Sequence, residues 1–164
     1  MAGVFSFPHP VDEVSARLVA GGVVLLSAAY VTTGWTLLLV LLTYGFVART
    51  LSGPTLSPWG RVVTRVVRPR LDVAAQPTAG PPKRFAQGIG ATLTLAAVVV
   101  LLVSGSDVGP RALVGAVTVA ATLESVLGFC LGCRIFALLM RLGVVPESVC
   151  ADCADISGRL AARA

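Results

Sequence analysis

The sequence predicts an all-α integral membrane protein with four transmembrane helices in two hairpins and a cytoplasmic amphipathic helix in the loop between them. Of its 164 residues, 55% are hydrophobic and only 13% are charged, against about a quarter charged in soluble domains. Long uncharged stretches also alternate with a proline-rich basic segment. These observations exclude an ordinary soluble domain and favour a single membrane domain over 1–164. We predict five parts in this domain: an N-terminal segment (1–13), a first hairpin (14–51), a basic loop (52–84), a second hairpin (85–140) and a cysteine-containing tail (141–164).

The first hairpin follows from a charge-free stretch that is too long for one span. Residues 18–48 include no charged side chain, and one helix of that length would be about 46 Å long, against about 30 Å of hydrocarbon. The sequence Val-Thr-Thr-Gly-Trp at 31–35 lies at its middle and is typical of a break. We therefore predict helices over 14–32 and 35–51. The N-terminal segment lacks the basic start of a cleaved signal peptide, so the first helix is expected to remain.

The loop over 52–84 is too rich in proline and glycine to span a membrane, and it holds six of the thirteen basic residues. Arg61, Arg65 and Arg68 are spaced i, i+4 and i+7, with valines on the opposite side. This spacing predicts a short amphipathic helix anchored by Trp59. The three arginines would contact anionic membrane lipid, or the helix is simply solvated and fixes the topology.

The second hairpin contains two further predicted spans. The first covers the uncharged residues 85–106 and ends in a Gly-Ser-Asp-Val-Gly-Pro turn at 105–110. The second predicted span covers about 111–129 and includes Arg111 and Glu124. With basic residues in the loop and the tail, the positive-inside rule predicts an inner-membrane protein with both termini in the cytoplasm. The net charge of +5 is then explained by topology, and we expect no nucleic-acid partner.

The four cysteines form two CxxC pairs, Cys130 with Cys133 and Cys150 with Cys153. Their spacing is that of a zinc ribbon, in which four thiolates enclose one metal ion. In a reducing cytoplasm the same pairs could instead exchange electrons or sulfur with a partner, or be four unrelated thiols. Zinc ligation, thiol redox catalysis and no shared role all stay open on spacing alone.

Glu124 is the only acidic residue inside a predicted span. A carboxylate within a membrane is costly, so it needs a partner or a role in proton transfer. We predict a structural ion pair with Arg17 in the first helix, with Arg49 as the second choice of partner.

Several short motifs give the chain a resemblance to a largely actinobacterial membrane family, the domain of unknown function 4395. They are Phe-Pro-His-Pro-Val-Asp-Glu at 7–13, Ala-Arg at 16–17, Gly-Pro-Thr-Leu-Ser-Pro at 53–58, Gly-Pro-Pro-Lys-Arg-Phe-Ala-Gln at 80–87, Leu-Glu at 123–124 and Gly-Phe-Cys-Leu-Gly-Cys at 128–133. The resemblance implies no established activity. It implies gene neighbours of the thioredoxin-like and sulfurtransferase types, and relatives that carry only the first CxxC.

The function predicted from these features is thiol-based redox or sulfur handling at the cytoplasmic face. In this hypothesis Cys130 or Cys133 exchanges with a thioredoxin-like or sulfurtransferase partner, and Cys150 with Cys153 resolves or receives the product. The alternative is a non-enzymatic scaffold with a structural four-cysteine zinc site, and a small-solute transporter is the third hypothesis. The sequence therefore leaves open whether the chain is an enzyme.

Overall fold

A computed structural model describes residues 10–150 and is helical through most of them. The six helices are α1 (Glu13–Thr33), α2 (Thr36–Ser52), α3 (Pro58–Val62), α4 (Gly80–Ser104), α5 (Val108–Leu127) and α6 (Leu131–Arg141). Two short strands, β1 (Val11–Asp12) and β2 (Pro77–Thr78), pair antiparallel. The predicted all-α class is therefore confirmed apart from this one strand pair.

Three of the helices are long and apolar enough to cross a membrane, namely α1, α4 and α5. The fourth apolar helix, α2, has 17 residues and is about 25 Å long at the helical rise of 1.5 Å per residue. The membrane character predicted from composition is thus supported by the length and composition of three helices.

The break between α1 and α2 lies where the charge-free stretch predicted it. Gly34 ends α1 in the left-handed conformation (φ 69°), and its N–H donates to the Tyr30 carbonyl over 2.7 Å. A Cβ added to Gly34 would lie only 2.5 Å from Arg111 Nη2. The left-handed conformation therefore favours glycine, whereas the flexible end of the Arg111 side chain could move aside.

The start of the third long helix differs from the prediction. The sequence analysis began this helix at Phe85, because Gly80, Pro81 and Pro82 were interpreted as loop residues. In the structure α4 begins at Gly80 with the prolines in its first turn, where the missing N–H groups would have no partner in any case. Lys83 consequently belongs to the helix and not to the loop.

The basic loop folds back onto the bundle. Helix α3 continues through a π-helical turn, Val63–Val67, and a 3-10 turn, Arg68–Arg70. A Cβ added to Gly22 in α1 would overlap the Trp59 indole. The tryptophan thus packs against α1 at a position where only glycine leaves room for it.

The four long helices pack as a bundle in which α1 lies mainly against α5 and α2 mainly against α4. Its core is formed by buried side chains of all four, among them Tyr30, Leu39, Leu42, Ala97 and Val114. The starts of α1 and α4 and the ends of α2 and α5 meet at one end of the bundle, which we call the site end. At the other end, an ion pair of 2.5 Å joins Arg111 to Asp107.

Asp12 fastens the start of α1. Its carboxylate accepts hydrogen bonds from the backbone N–H groups of Ser15 (3.2 Å) and Gln76 (3.0 Å) and from Arg68 Nε (2.5 Å). Burial raises the pKa of Asp12, but these hydrogen bonds outweigh it and hold the pKa at about 2. The carboxylate thus caps α1 and ties it to the basic loop.

We expect Asp12→Ala to lower the free energy of unfolding by about 1–2 kcal/mol at pH 7, because a cap and an ion pair are lost. Asp12→Asn keeps a capping oxygen and should lose less.

The pKa of Asp12 is lower in the folded protein than its ordinary 3.8, so its charge stabilises the fold above pH 4. This contribution disappears as the pH falls towards 2. Thermal unfolding in detergent from pH 7 to 2 measures the difference in stability between wild type and Asp12→Asn. A difference that does not change with pH would contradict the role of the charge.

Candidate dithiol site

The first CxxC pair lies at the start of α6, at the site end of the bundle. Cys130 is the N-cap of α6 and accepts a hydrogen bond from the Cys133 amide over 3.4 Å. The Cys133 thiol donates to Cys130 Sγ over 2.6 Å. Both cysteines are free, so the pair is a dithiol with its two sulfurs in direct contact.

The local sequence places this pair between two helices. Gly128 ends α5 in the left-handed conformation (φ 65°) and lets the chain turn into α6. A Cβ added to Gly132 would lie 2.5 Å from Ala86 Cβ and 2.6 Å from Ala86 Cα. The glycine inside the CxxC is thus what allows α6 to lie directly on α4.

The two thiols have opposite acidities. The hydrogen bond from Cys133 lowers the pKa of Cys130, and although burial and Glu124 oppose this, the Lys83 ammonium adds to it. The same hydrogen bond and burial raise the pKa of Cys133. The first turn of a helix also stabilises a negative charge at its N-cap, so Cys130 is the more acidic thiol of the pair and Cys133 is its hydrogen-bond donor.

A buried ion-pair cluster lies beside the dithiol. Lys83 Nζ is 2.7 Å from Glu124 Oε1 and 3.0 Å from Glu13 Oε2, and its side chain is 7% exposed. Lysine from α4 thereby joins a carboxylate of α5 to a carboxylate of α1. Lys83 thus pairs with Glu124, and both the ammonium and the carboxylate lie close enough to the sulfurs to affect their acidity.

A second buried cation, Arg49 near the end of α2, completes the site end. Its Nε donates to Gln87 Oε1 over 3.0 Å, and its Nη1 donates to Ser57 Oγ over 3.4 Å. The guanidinium also lies 4.8 Å from the centre of the Phe46 ring. These contacts hold α2 against α4 one turn beyond Lys83.

The predicted ion pair of Glu124 with Arg17 is wrong in its partner. Arg17 donates from Nε to the Ser125 carbonyl (3.2 Å) and from Nη2 to the Val126 carbonyl (2.7 Å). These carbonyls belong to the last turn of α5, where no intrahelical donor reaches them. Arg17 therefore caps α5, and the ammonium that neutralises Glu124 is that of Lys83. Arg49, the second predicted partner, is bound to Gln87 and Ser57.

The second CxxC pair is only partly described. Cys150 is buried and disulfide-bonded, and Cys153 lies outside the described residues. Within 10–150, no three histidine, cysteine, aspartate or glutamate side chains form a cluster that could hold a metal ion. The four-cysteine zinc site stays a prediction, as does the role of this pair in resolving or receiving a product.

The three arginines of the predicted lipid-binding face differ in their surroundings. Arg61 and Arg65 are exposed. Arg68 is paired with Asp12 over 2.5 Å, and so its charge is already neutralised. Contact with anionic lipid stays a prediction, and it is carried by the two exposed arginines.

Sequence analysis missed three contributors to the site, namely Lys83, Glu13 and Gln87. Lys83 was counted as a loop cation because two prolines precede it, and Glu13 as part of the segment before the first helix. The available signal was the lone carboxylate of Glu124, since a buried acid requires a cation at its own depth. Lys83 satisfies that requirement once α4 starts at Gly80.

Comparison with known proteins gives one match. The model of a protein family described as a domain of unknown function matches residues 11–141, which extend from β1 to the end of α6. No curated protein and no solved structure matches the chain.

We expect Lys83→Met to lower the free energy of unfolding by about 3–5 kcal/mol, because it leaves the Glu124 carboxylate buried without a cation. The double variant Lys83→Met/Glu124→Leu removes that charge as well and should regain most of the loss. Dodecyl sulfate titration in mixed micelles measures both. Arg65→Met, which removes an exposed cation of the basic loop, is the control and should cost less than about 1 kcal/mol. Equal losses in the single and double variants would argue against a buried ion pair.

Proposed function

The chain belongs to the DUF4395 family, and we propose that it is a thiol–disulfide redox protein of the inner membrane, with Cys130 as the attacking thiol. The observation that carries this proposal is the direct contact of two free sulfurs, 2.6 Å apart, at the first turn of a helix. Such a pair can open a disulfide and close one without any large movement.

The exchange begins when the Cys130 thiolate attacks one sulfur of a partner disulfide. A bond forms between Cys130 and that sulfur, the partner disulfide breaks, and the leaving thiolate takes a proton from water. Cys133 then loses its proton and attacks Cys130 Sγ, which releases the second partner thiol and closes the Cys130–Cys133 disulfide. Two electrons pass from the chain to the partner, and the reverse sequence oxidises a partner dithiol.

The structure supports a division of labour that differs from the one predicted from sequence. The sequence analysis gave the resolving role to Cys150 with Cys153. Cys133 is the sulfur in contact with Cys130 and has the raised pKa of a thiol that stays protonated until the mixed disulfide has formed. We therefore assign the resolving step to Cys133. A thioredoxin-like or sulfurtransferase protein is the proposed partner.

We further propose that α2 spans the membrane with α1, α4 and α5, and that the site end faces the cytoplasm. Arg61, Arg65, Arg84 and Arg134 all lie in segments at the site end and are exposed, whereas Arg111 at the opposite end is paired with Asp107. This asymmetry agrees with the positive-inside rule. The dithiol would then lie in a compartment that keeps thiols reduced.

The orientation predicts how fused reporter proteins will behave. Alkaline phosphatase, which folds only outside the cytoplasm, should be active when fused after Gly34 or Ser106 and inactive when fused after Asp72. A green fluorescent protein fused after Ala164 should fluoresce. The same activity pattern after Gly34 and after Asp72 would contradict the four-span arrangement.

Trapping of a mixed disulfide tests the redox proposal. With purified oxidised thioredoxin as the probe, we expect Cys133→Ser to accumulate a covalent complex, because the resolving thiol is missing. Cys130→Ser should form none, because the attacking thiol is missing. Non-reducing electrophoresis and mass spectrometry of the linked peptides measure the complex.

The control is the variant Cys130→Ser/Cys133→Ser, which keeps Cys150 and Cys153. We expect no covalent complex with this variant. Equal complex formation by the two single variants would refute the assignment of roles. No complex with either variant, together with normal folding, would refute thiol exchange with partners of this type.

A further inference from the structure

We propose that the dithiol is oxidised by a membrane-soluble quinone, which binds in an apolar cavity inside the helix bundle and next to Cys130. This inference rests on the proposed redox function and adds the second electron acceptor. Its basis is a cavity of about 170 Å³ that is lined by all four long helices and by the start of α6, including Cys130 and Glu124.

The cavity has the size and lining for a flat ring. Seven of its seventeen lining residues are alanine or glycine, with Ala20, Ala86, Gly90, Ala120 and Ala121 among them. Small side chains at these positions leave space between helices that larger ones would fill. An apolar cavity of about 150 Å³ binds benzene in another protein, so this one can accept the ring of a quinone.

The cavity reaches the lipid-facing surface of the bundle. Ala116 of α5 lines it and is exposed, and so are Leu131 and Ile135 of α6. A molecule dissolved in the hydrocarbon could enter here with its ring first and leave its apolar tail in the lipid. A water-soluble oxidant has no reason to use such an entrance.

A hydrogen-bond donor lines the same cavity as Cys130. Gln87 lines the cavity, and Arg49 holds its Oε1 by a bond of 3.0 Å, which directs the amide N–H₂ away from the guanidinium. Within residues 10–150 this nitrogen makes no hydrogen bond, so it can donate to a quinone carbonyl. Such a donor would stabilise the negative charge that a carbonyl oxygen gains on reduction.

The dithiol supplies both electrons of the reaction. Cys130 and Cys133 together lose two electrons as the S–S bond forms, and the quinone gains two electrons and two protons to become a quinol. Cys133 supplies one proton, and water supplies the other when Cys130 reacts as the thiolate. The resulting disulfide could then oxidise a partner dithiol by the reverse of the exchange above.

The test uses the reduced full-length protein in detergent with a short-tailed ubiquinone under anaerobic conditions. We expect one quinone to be reduced for each pair of thiols lost, followed by the ultraviolet absorbance of the quinone and by thiol counting. Ala120→Leu, which fills the cavity, and Ala116→Leu, which narrows its entrance, should each slow the reaction roughly tenfold. The matched control Ala112→Leu makes the same change on α5 at an exposed position outside the cavity and should leave the rate unchanged.

Oxidation by the water-soluble reagent diamide distinguishes this inference from the proposed function. If the cavity variants keep the wild-type diamide rate and lose the quinone rate, the quinone site is supported. Equal quinone rates in Ala120→Leu, Ala116→Leu and Ala112→Leu overturn it, since an acyl chain or nothing would then occupy the cavity. A protein that traps thioredoxin but does not reduce quinone also overturns it and leaves the proposed function intact.

Photolabelling with an azidoquinone adds a readout that needs no turnover. In the Cys130→Ser/Cys133→Ser variant, the label should attach to peptides of α4 and α5 and decrease when Ala120→Leu is added. Labelling that Ala120→Leu leaves unchanged counts against the site.

Discussion

The arrangement of the site end depends on one buried cation. Lys83 reaches Glu124 over 2.7 Å and Glu13 over 3.0 Å, and these distances fix the start of α4 at the same level as the start of α1 and the end of α5. An ion pair of this kind is expensive to desolvate and adds little net stability. Its value here lies in register, because any vertical shift of one helix would leave a charge without a partner in an apolar bundle.

That register determines where the dithiol lies. Three residues separate the end of α5 from the start of α6, and Gly132 lets α6 contact α4 at Ala86, one turn beyond Lys83. The thiolate, the ammonium and the carboxylates therefore converge although they come from four different elements. The lowered pKa of Cys130 follows from the hydrogen bond that Cys133 donates and from the N-cap position of Cys130, and a free CxxC peptide would have neither feature.

The sequence predicts the positions of the helices better than it predicts the contacts within the site. A charge-free stretch too long for one span located the break at Gly34, since hydrocarbon thickness limits helix length. The start of α4 could not be located in the same way, because Gly80, Pro81 and Pro82 have the composition of a turn as well as of a first helical turn. That error hid Lys83, and with it the true partner of Glu124.

Spacing likewise identified the cysteine pairs but not the difference between them. The two CxxC motifs look the same in the sequence. Only the structure shows that Cys130 is the N-cap of α6 and accepts a hydrogen bond from the Cys133 thiol. Arg17 gives a similar lesson. The sequence places Arg17 at a depth similar to that of Glu124, which suggests an ion pair. In the structure Arg17 instead donates to the backbone carbonyls at the end of α5.

One face of α4 carries the ion pair, the contact with α6 and the cavity wall in succession, through Lys83, Ala86, Gln87 and Gly90. These positions follow the i, i+3, i+4, i+7 spacing of a single helical face, and an inserted or deleted residue between them would rotate the later ones by about 100°. Changes in chain length should therefore be tolerated in the extended stretch before β2 and rejected within these two turns. The evolutionary record of the family would show this as substitutions without gaps across the first half of α4.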